Sequence, residues 1–419
     1  MDSIKLPLIS YLNRYIAARM ISVFGDVMFI VSSIVLLFTL SGSPFLTTTL
    51  YAVELIPNIL FGPLFAPYVD RKKKYKIISS MEILRAIGIV ILIPFLLLLD
   101  NYYFIFLIVF LSSFCFAISY PARRSLISMI VNEDYIQKAN AKIGTLNQLI
   151  QLVSYGISPV LLIIIGPVTT MLIFPFALII SSLLVYSIKK KEINRTLTSV
   201  LRETREKIYY LKELKIGISW VKENSVVKYL IIASIPLNFF YAFTITLPVI
   251  YVTESLHLGS ALFPVLTTTS FVGGAIGSLS IGLYKTKRVG TILVLSIAVV
   301  GLSILFTGSV HSFILTIIFF FILGASSAVY NVQYISLLQS MVPLDIMGRV
   351  FTFDNSMSNI ATPVAMVLSG LLSTLIGVNL AFSVAGVGII IISFALALMK
   401  KIRKYTYPIN QSEMVSTIP

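Results

Sequence analysis

The chain has 419 residues, of which 57% are hydrophobic and only 12% charged, with a mean hydropathy of +0.96 and a formal net charge of +15. So little charge on so apolar a chain excludes a water-soluble globular domain, in which about a quarter of residues are charged. Its Lys and Arg residues bunch at alternate ends of apolar runs instead of spreading over one face, which sets aside a nucleic-acid partner and points to a bilayer.

Other chemistries are excluded by what the chain lacks. Cys115 is the single cysteine and stands inside an apolar run, so it reads as a packing residue without a disulfide. His257 and His311 fall at loop edges, too far apart in sequence for a metal motif; no metal or cofactor is expected. No Gly-x-x-x-x-Gly-Lys-[Ser/Thr] loop is present, which argues against an ATP-driven pump. No nucleophile–base arrangement suggests an enzyme. Lys5, Arg14 and Arg19 precede the first apolar run, but no short apolar segment with a cleavage site does, so a cleaved signal peptide is not expected.

In chain order, about twelve runs are long enough to cross ~30 Å of hydrocarbon at 1.5 Å per residue. They are 14–40, 46–69, 75–99, 102–123, 137–163, 166–188, 228–252, 260–284, 289–308, 312–337, 350–375 and 379–400. The expected fold is an all-α integral membrane protein. Turns at Ser41–Pro44, Asp100–Asn101, Gly166–Pro167, His257–Ser260, Gly308–Ser312 and Gly377–Asn379 carry no Lys or Arg. The opposite connections are basic: Arg71 to Lys76, Arg123–Arg124 onward, Lys189 to Lys228, Lys285 to Arg288, Arg349, and Lys400 to Lys404. By the positive-inside rule both termini lie in the cytoplasm of a multi-pass cell-membrane protein.

The longest connection, Lys189 to Lys228, sits halfway along the chain. Ile208, Leu211, Ile216, Trp220 and Val221 share a face against Lys207, Lys212, Lys215, Lys222 and Glu223, the pattern of a linker helix lying on the inner leaflet. The expected organisation is a six-helix bundle over 1–190, a cytoplasmic linker over 191–227, a second six-helix bundle over 228–404 and a tail over 405–419.

Charges inside the spans are few. Asp26, Glu54, Glu82 and Arg85 each carry an insertion cost of about 2.5–3.5 kcal/mol at a helix centre. Such residues are retained where they face a cavity or one another, and they mark ion or substrate paths. Asp26 follows Arg19 by seven residues, so it stands roughly 10 Å deeper along its helix. It reads either as a proton carrier or as a helix–helix hydrogen-bonding residue, and Glu54 as a proton carrier, a contact for a cationic substrate or a residue reaching the outer surface. Glu82 and Arg85 are three residues apart and can face each other as an internal salt bridge; alternatively Arg85 holds an acidic residue of another helix. Gln148, Gln151, Asn238, Thr244, Thr246, Asn331, Gln333 and Asn355, with Phe239, Phe240, Tyr241 and Tyr330, are candidates to line a cavity.

The stretch Gly62-Pro63-x-x-Ala66-x-x-x-Asp70-Arg71, followed by lysines, resembles the loop between the second and third helices of the major facilitator superfamily. Ala66 stands where that family has a second glycine. Pro57, Gly62-Pro63 and Arg85-Ala86 are similar to its branch of macrolide and enterobactin exporters. So are Ser22 to Asp26, Pro121 to Arg124 with Asn140, Glu213 to Trp220, and Gln339 to Val350. The resemblance implies two pseudo-symmetric six-helix bundles with a substrate site between them near the bilayer midplane. It implies a cytoplasmic gate built from Gly62, Pro63, Asp70, Arg71, Arg123 or Arg124, and Asp354. It also implies a kinked fifth span, present here as Gly156-x-Ser158-Pro159, with serine in place of a family glycine. The function it implies is proton-coupled efflux of drugs or other amphiphiles by a monomer, with protons, a small-molecule substrate and the lipid bilayer as partners. Two alternatives stay open: a transporter of a specific metabolite or siderophore on the same fold, and a non-transporting scaffold or receptor.

Overall fold

With no water in hydrocarbon, each backbone N–H and C=O must find its partner within the protein, and a single open segment achieves this only as a helix. The computed structural model describes residues 2–70, 72–99, 101–131, 133–188, 218–283, 288–343, 346–403 and 405. Among them every regular element is helical. The first half holds α1 (Asp2–Ser41), α2 (Pro44–Asp70), α3 (Lys74–Leu98), α4 (Tyr103–Ile130) and α5 (Glu133–Tyr186). The second holds α6 (Ser225–Thr246), α7 (Phe263–Leu283), α8 (Val289–Ser309), α9 (Phe313–Met341), α10 (Met347–Asn359), α11 (Thr362–Ile376) and α12 (Val378–Leu398).

Among the described residues, eleven stretches are long and apolar enough to span a membrane. One of them, Lys142–Tyr186, has 45 residues, more than twice the ~20 that a crossing needs. It breaks at Gly166, whose φ of 78° and ψ of 166° leave the helical region. Such a positive φ suits glycine, and Pro167 behind it supplies no N–H to carry the helix on. Counting its two arms separately gives twelve such stretches among the described residues. α10 and α11 act together as one of them, Arg349–Ile376. Most of the sequence expected to form the linker helix lies outside the described residues; its end, 218–223, is helical.

The chain divides into two compact units. Unit 1 comprises Met1–Glu206, Thr246–Thr268 and Met366–Leu375; unit 2 comprises Lys207–Ile245, Thr269–Ala365 and Ile376–Pro419. In unit 1 α1 packs along α5, while α4 receives both α2 and α3. The most apolar window of α1 is 83% buried, against 33% for that of α3, so α1 is a core helix and α3 a peripheral one. Gly25 permits the α1–α5 contact: a Cβ there would stand 2.7 Å from that of Ala177 and 2.9 Å from the Phe174 ring. Asp26 is thereby carried into the middle of unit 1. In unit 2 α8 packs on α9 and α12.

Apolar side chains left on the outside, such as Leu98, Ile164, Ile314 and Leu375, are each more than two-thirds exposed, a surface made for lipid and not for water. Some hydroxyls within the spans turn back on their own helices, as Ser32 does to the Met28 carbonyl and Ser154 to that of Ile150, so these carry no unmet donor into hydrocarbon.

Candidate functional site

The intramembrane charges of unit 1 converge. Arg85 on α3 donates from Nη2 to Asp26 Oδ1 on α1 at 2.7 Å and from Nε to Ser112 Oγ on α4 at 3.0 Å. Its guanidinium lies 4.6 Å from the Phe174 ring centre and 5.5 Å from that of Phe116, so the faces that make no hydrogen bond rest on aromatic rings. One turn earlier on α3, Glu82 Oε1 accepts from Arg123 Nη2 at 2.7 Å and from Ser181 Oγ at 2.8 Å. Glu82 is wholly buried and Arg123 nearly so.

Glu82 and Arg85 are therefore not an internal pair. Each pairs with a charge on a different helix: Glu82 with Arg123 on α4, Arg85 with Asp26 on α1. The physical reason is strength. An (i, i+3) pair along one helix contributes only about 0.2–0.5 kcal/mol, whereas short charge-assisted hydrogen bonds between helices are the strong kind and also meet the desolvation cost of the partner.

Asp26, Glu54, Asn58, Arg85 and Ser112 line a cavity of about 150 Å³ together with Phe29 and Phe116. Asp26 is 28% exposed within it. The Glu54 carboxylate makes no ion pair and no hydrogen bond among the described residues. One cavity thus holds a carboxylate tied to an arginine beside one that is not. Arg19, which the sequence places in the first basic cluster, comes close to this group: its guanidinium stands 5.9 Å from the Phe116 ring, and its Nη1 is buried without a hydrogen bond among the described residues.

Of the residues expected at the cytoplasmic gate, Arg123 is committed to Glu82, and Tyr15 donates to its carbonyl at 3.2 Å. Arg124 is exposed and lies 4.9 Å above the Tyr120 ring. Arg71 falls outside the described residues, as do the side chains of Pro63 and Asp70 and the surroundings of Gly62. Gly156 and Pro159 keep α5 helical; its non-helical residue is Gly166. A Cβ on Gly156 would stand 3.7 Å from Thr268, an ordinary contact.

Asp354 is in unit 2, where it lines a larger cavity of about 360 Å³. Its Oδ1 accepts from Tyr334 Oη and, at 3.2 Å, from Ser358 Oγ. Ser358 in turn shares a hydrogen bond of 2.5 Å with Ser234. Asn238, Tyr241, Tyr330, Asn331 and Asn355 line the same cavity; all five are among the polar or aromatic residues that the sequence marks as possible lining. Gln333 is buried but does not line it. Sequence reasoning missed Ser112, Phe116, Ser181 and Tyr334. A serine or tyrosine within an apolar run is too common for its type alone to single it out.

The family model for the Major Facilitator Superfamily matches residues 15–353 and, in a second overlapping match, 229–416. Among curated proteins the chain is similar to the MFS-type transporter YvqJ of Bacillus subtilis (strain 168), at 27% identity over 94% of this chain and 93% of that one. It is similar to macrolide efflux protein A of Streptococcus pyogenes at 23% identity over 87% of this chain and 89% of that one. Among solved structures it superposes on the nucleoside transporter NupG with a TM-score of 0.73 at 12% identity, over 93% of this chain and 99% of that chain. With the match running through nearly all of its helices, and with the fold of those transporters, the chain belongs to the Major Facilitator Superfamily and is a multi-pass membrane transporter.

Proposed function

We propose that this transporter exports amphiphilic small molecules in exchange for protons, by alternating access, with both termini in the cytoplasm of the cell membrane. The observation that carries the reading is the cavity of unit 1, where Asp26 is held by Arg85 and Glu54 stands beside them with no ion pair among the described residues. A proton arriving on Asp26 releases Arg85, and Arg85 can then turn to Glu54. Such a partner exchange keeps the buried charge nearly balanced while a proton is gained or lost, the condition under which ionisable groups are tolerated inside a membrane. The likeness to macrolide efflux protein A supports efflux over uptake. Asp70 and Arg71, at the cytoplasmic end of α2, are proposed to hold the inner gate shut, on the strength of their sequence context alone.

The test uses the full-length protein in sealed vesicles with a pH-sensitive dye inside. Erythromycin and ethidium serve as probes, and a proton gradient is imposed. Addition of a transported probe should dissipate the gradient. Asp26→Asn or Glu54→Gln should abolish accumulation against a gradient while sparing downhill exchange. Asp70→Asn should slow turnover more than it weakens binding. Full gradient-driven transport by both Asp26→Asn and Glu54→Gln overturns proton coupling through this cavity. A protein that moves neither probe nor protons returns the question to a scaffold or receptor role.

A further inference from the structure

The cavity of unit 2 differs from that of unit 1 in one electrostatic respect. In unit 1 Asp26 and Glu82 each hold an arginine at 2.7 Å. In unit 2 no Lys or Arg among the described residues lines the cavity, and Asp354 makes no ion pair among them. Asp354 is nevertheless 91% shielded, its relative exposure being 9%. Both of its hydrogen bonds, from Tyr334 and Ser358, end on Oδ1, which leaves Oδ2 without a partner among the described residues. A buried carboxylate with no counter-charge is costly, and the cost is met when a cation arrives from outside the protein.

The surroundings select the kind of cation. Tyr330 and Tyr334 stand side by side with ring centres 5.6 Å apart and planes inclined at 39°, and both line the cavity with Tyr241. Aromatic faces beside a carboxylate suit a large, weakly hydrated organic cation better than a small metal ion, which would demand several oxygen ligands in a shell. Asn238, Asn331 and Asn355 supply amide groups for a polar substituent. At about 360 Å³ the space is at the lower end for ligand sites, ~300–1,000 Å³, enough for a cationic head with part of its apolar body.

We infer that the Asp354–Tyr330–Tyr334 cavity of unit 2 is a recognition site for the positively charged nitrogen or phosphonium of an amphiphilic organic cation. This rests on the export reading for its physiological meaning, but the site itself is defined by binding and stands or falls apart from proton coupling. It also gives Asp354 a role distinct from the gate that the family resemblance suggests. Asp354 positions the ligand by charge, the tyrosines by their faces, and Ser358, itself bonded to Ser234, holds the carboxylate in place.

The experiment is equilibrium binding to the purified full-length protein in detergent, with radiolabelled tetraphenylphosphonium as the probe. Its charge is permanent, so protonation of the ligand plays no part. Triphenylphosphine oxide, neutral and of similar shape, is the competing control. Asp354→Asn keeps the side-chain shape and should weaken tetraphenylphosphonium binding at least tenfold while leaving the neutral control within about twofold. Tyr330→Leu, which does not touch the carboxylate, should weaken the cation by several-fold and provides a second readout if Asp354→Asn folds poorly. Equal loss of both ligands, an unchanged cation affinity in both variants, or no saturable binding to the wild type overturns the site. Cation binding through Asp354 that persists when Asp26→Asn and Glu54→Gln leave gradient-driven transport intact would keep the site and remove the proton-coupling reading. Proton-coupled transport of another probe with cation binding indifferent to Asp354 would do the reverse.

Discussion

Glu82→Gln is the substitution whose consequence follows most directly from the geometry. Glu82 Oε1 receives Arg123 at 2.7 Å and Ser181 at 2.8 Å, and the Glu82 side chain is 0% exposed, that of Arg123 6%. Glutamine keeps the volume and an acceptor oxygen, so the Ser181 bond, worth about 1 kcal/mol, survives. The negative charge does not survive, and the Arg123 guanidinium is left buried without its ion-pair partner. Removing one member of a buried pair costs ~3–5 kcal/mol. At ~2–4 °C per kcal/mol for a cooperative unit of this size, the thermal midpoint should fall by roughly 10 °C. The assay is thermal unfolding of the detergent-purified protein followed by size-exclusion chromatography. A second arm adds Arg123→Gln to Glu82→Gln: with both charges gone most of the loss should return, so the double variant should melt well above the sum of the single effects. Asp26→Asn is a useful contrast, because Asp26 is 28% exposed and Arg85 keeps Ser112 and two aromatic faces; its midpoint should fall less. If Glu82→Gln melts within about 2 °C of the wild type, less than the loss of even 1 kcal/mol would give, or if the two substitutions simply add, the pair is not what holds α3 to α4 and the reasoning fails.

Two further outcomes follow from packing and from loop charge. Gly277→Leu should lower expression and the thermal midpoint, since a Cβ there would meet Ala325 backbone carbons at 2.8 Å and overpacking of that kind costs ~1–3 kcal/mol; Gly88→Ala, with nothing within 4 Å, should be silent or gain up to about 1 kcal/mol from helix propensity, and equal behaviour of the two would refute the close α7–α9 contact. For orientation, cysteines at Ser43 and Gly259 should react with an impermeant maleimide added outside sealed cells, whereas one at Lys73, which is exposed in the basic α2–α3 turn, should react only after permeabilisation; external labelling of Lys73→Cys would invert the topology.

The class of the molecule is readable from its residues because the bilayer asks so few questions of a sequence. Length of apolar run decides whether a segment can cross, and Gly166-Pro167 or Gly377 decides where it stops; these are local properties, and they place the crossings with small errors at their ends. The depth of a charge along its helix is local too, which is why Asp26, Glu54, Glu82 and Arg85 stand out in the amino-acid sequence by itself. What a charge meets is not local. Arg123 reads as a loop residue because Pro121 and two arginines end the apolar run, yet α4 continues to Ile130, and Pro121 is carried inside it. That extra length holds Arg123 within the helix and beside Glu82. Asp354 reads as a residue at the start of a span, yet α10 begins earlier, at Met347, and turns its carboxylate to Tyr334 on α9. Pairing depends on the rotation of each helix about its axis and on which neighbour it packs against, and these are decided by contacts such as Gly25 on Ala177 and Phe174. A sequence states the spacing of groups along one helix; only the packing of helices decides which groups come within hydrogen-bonding reach of each other, and the strength of a charge pair falls too steeply with distance and solvent exposure for anything less to settle it.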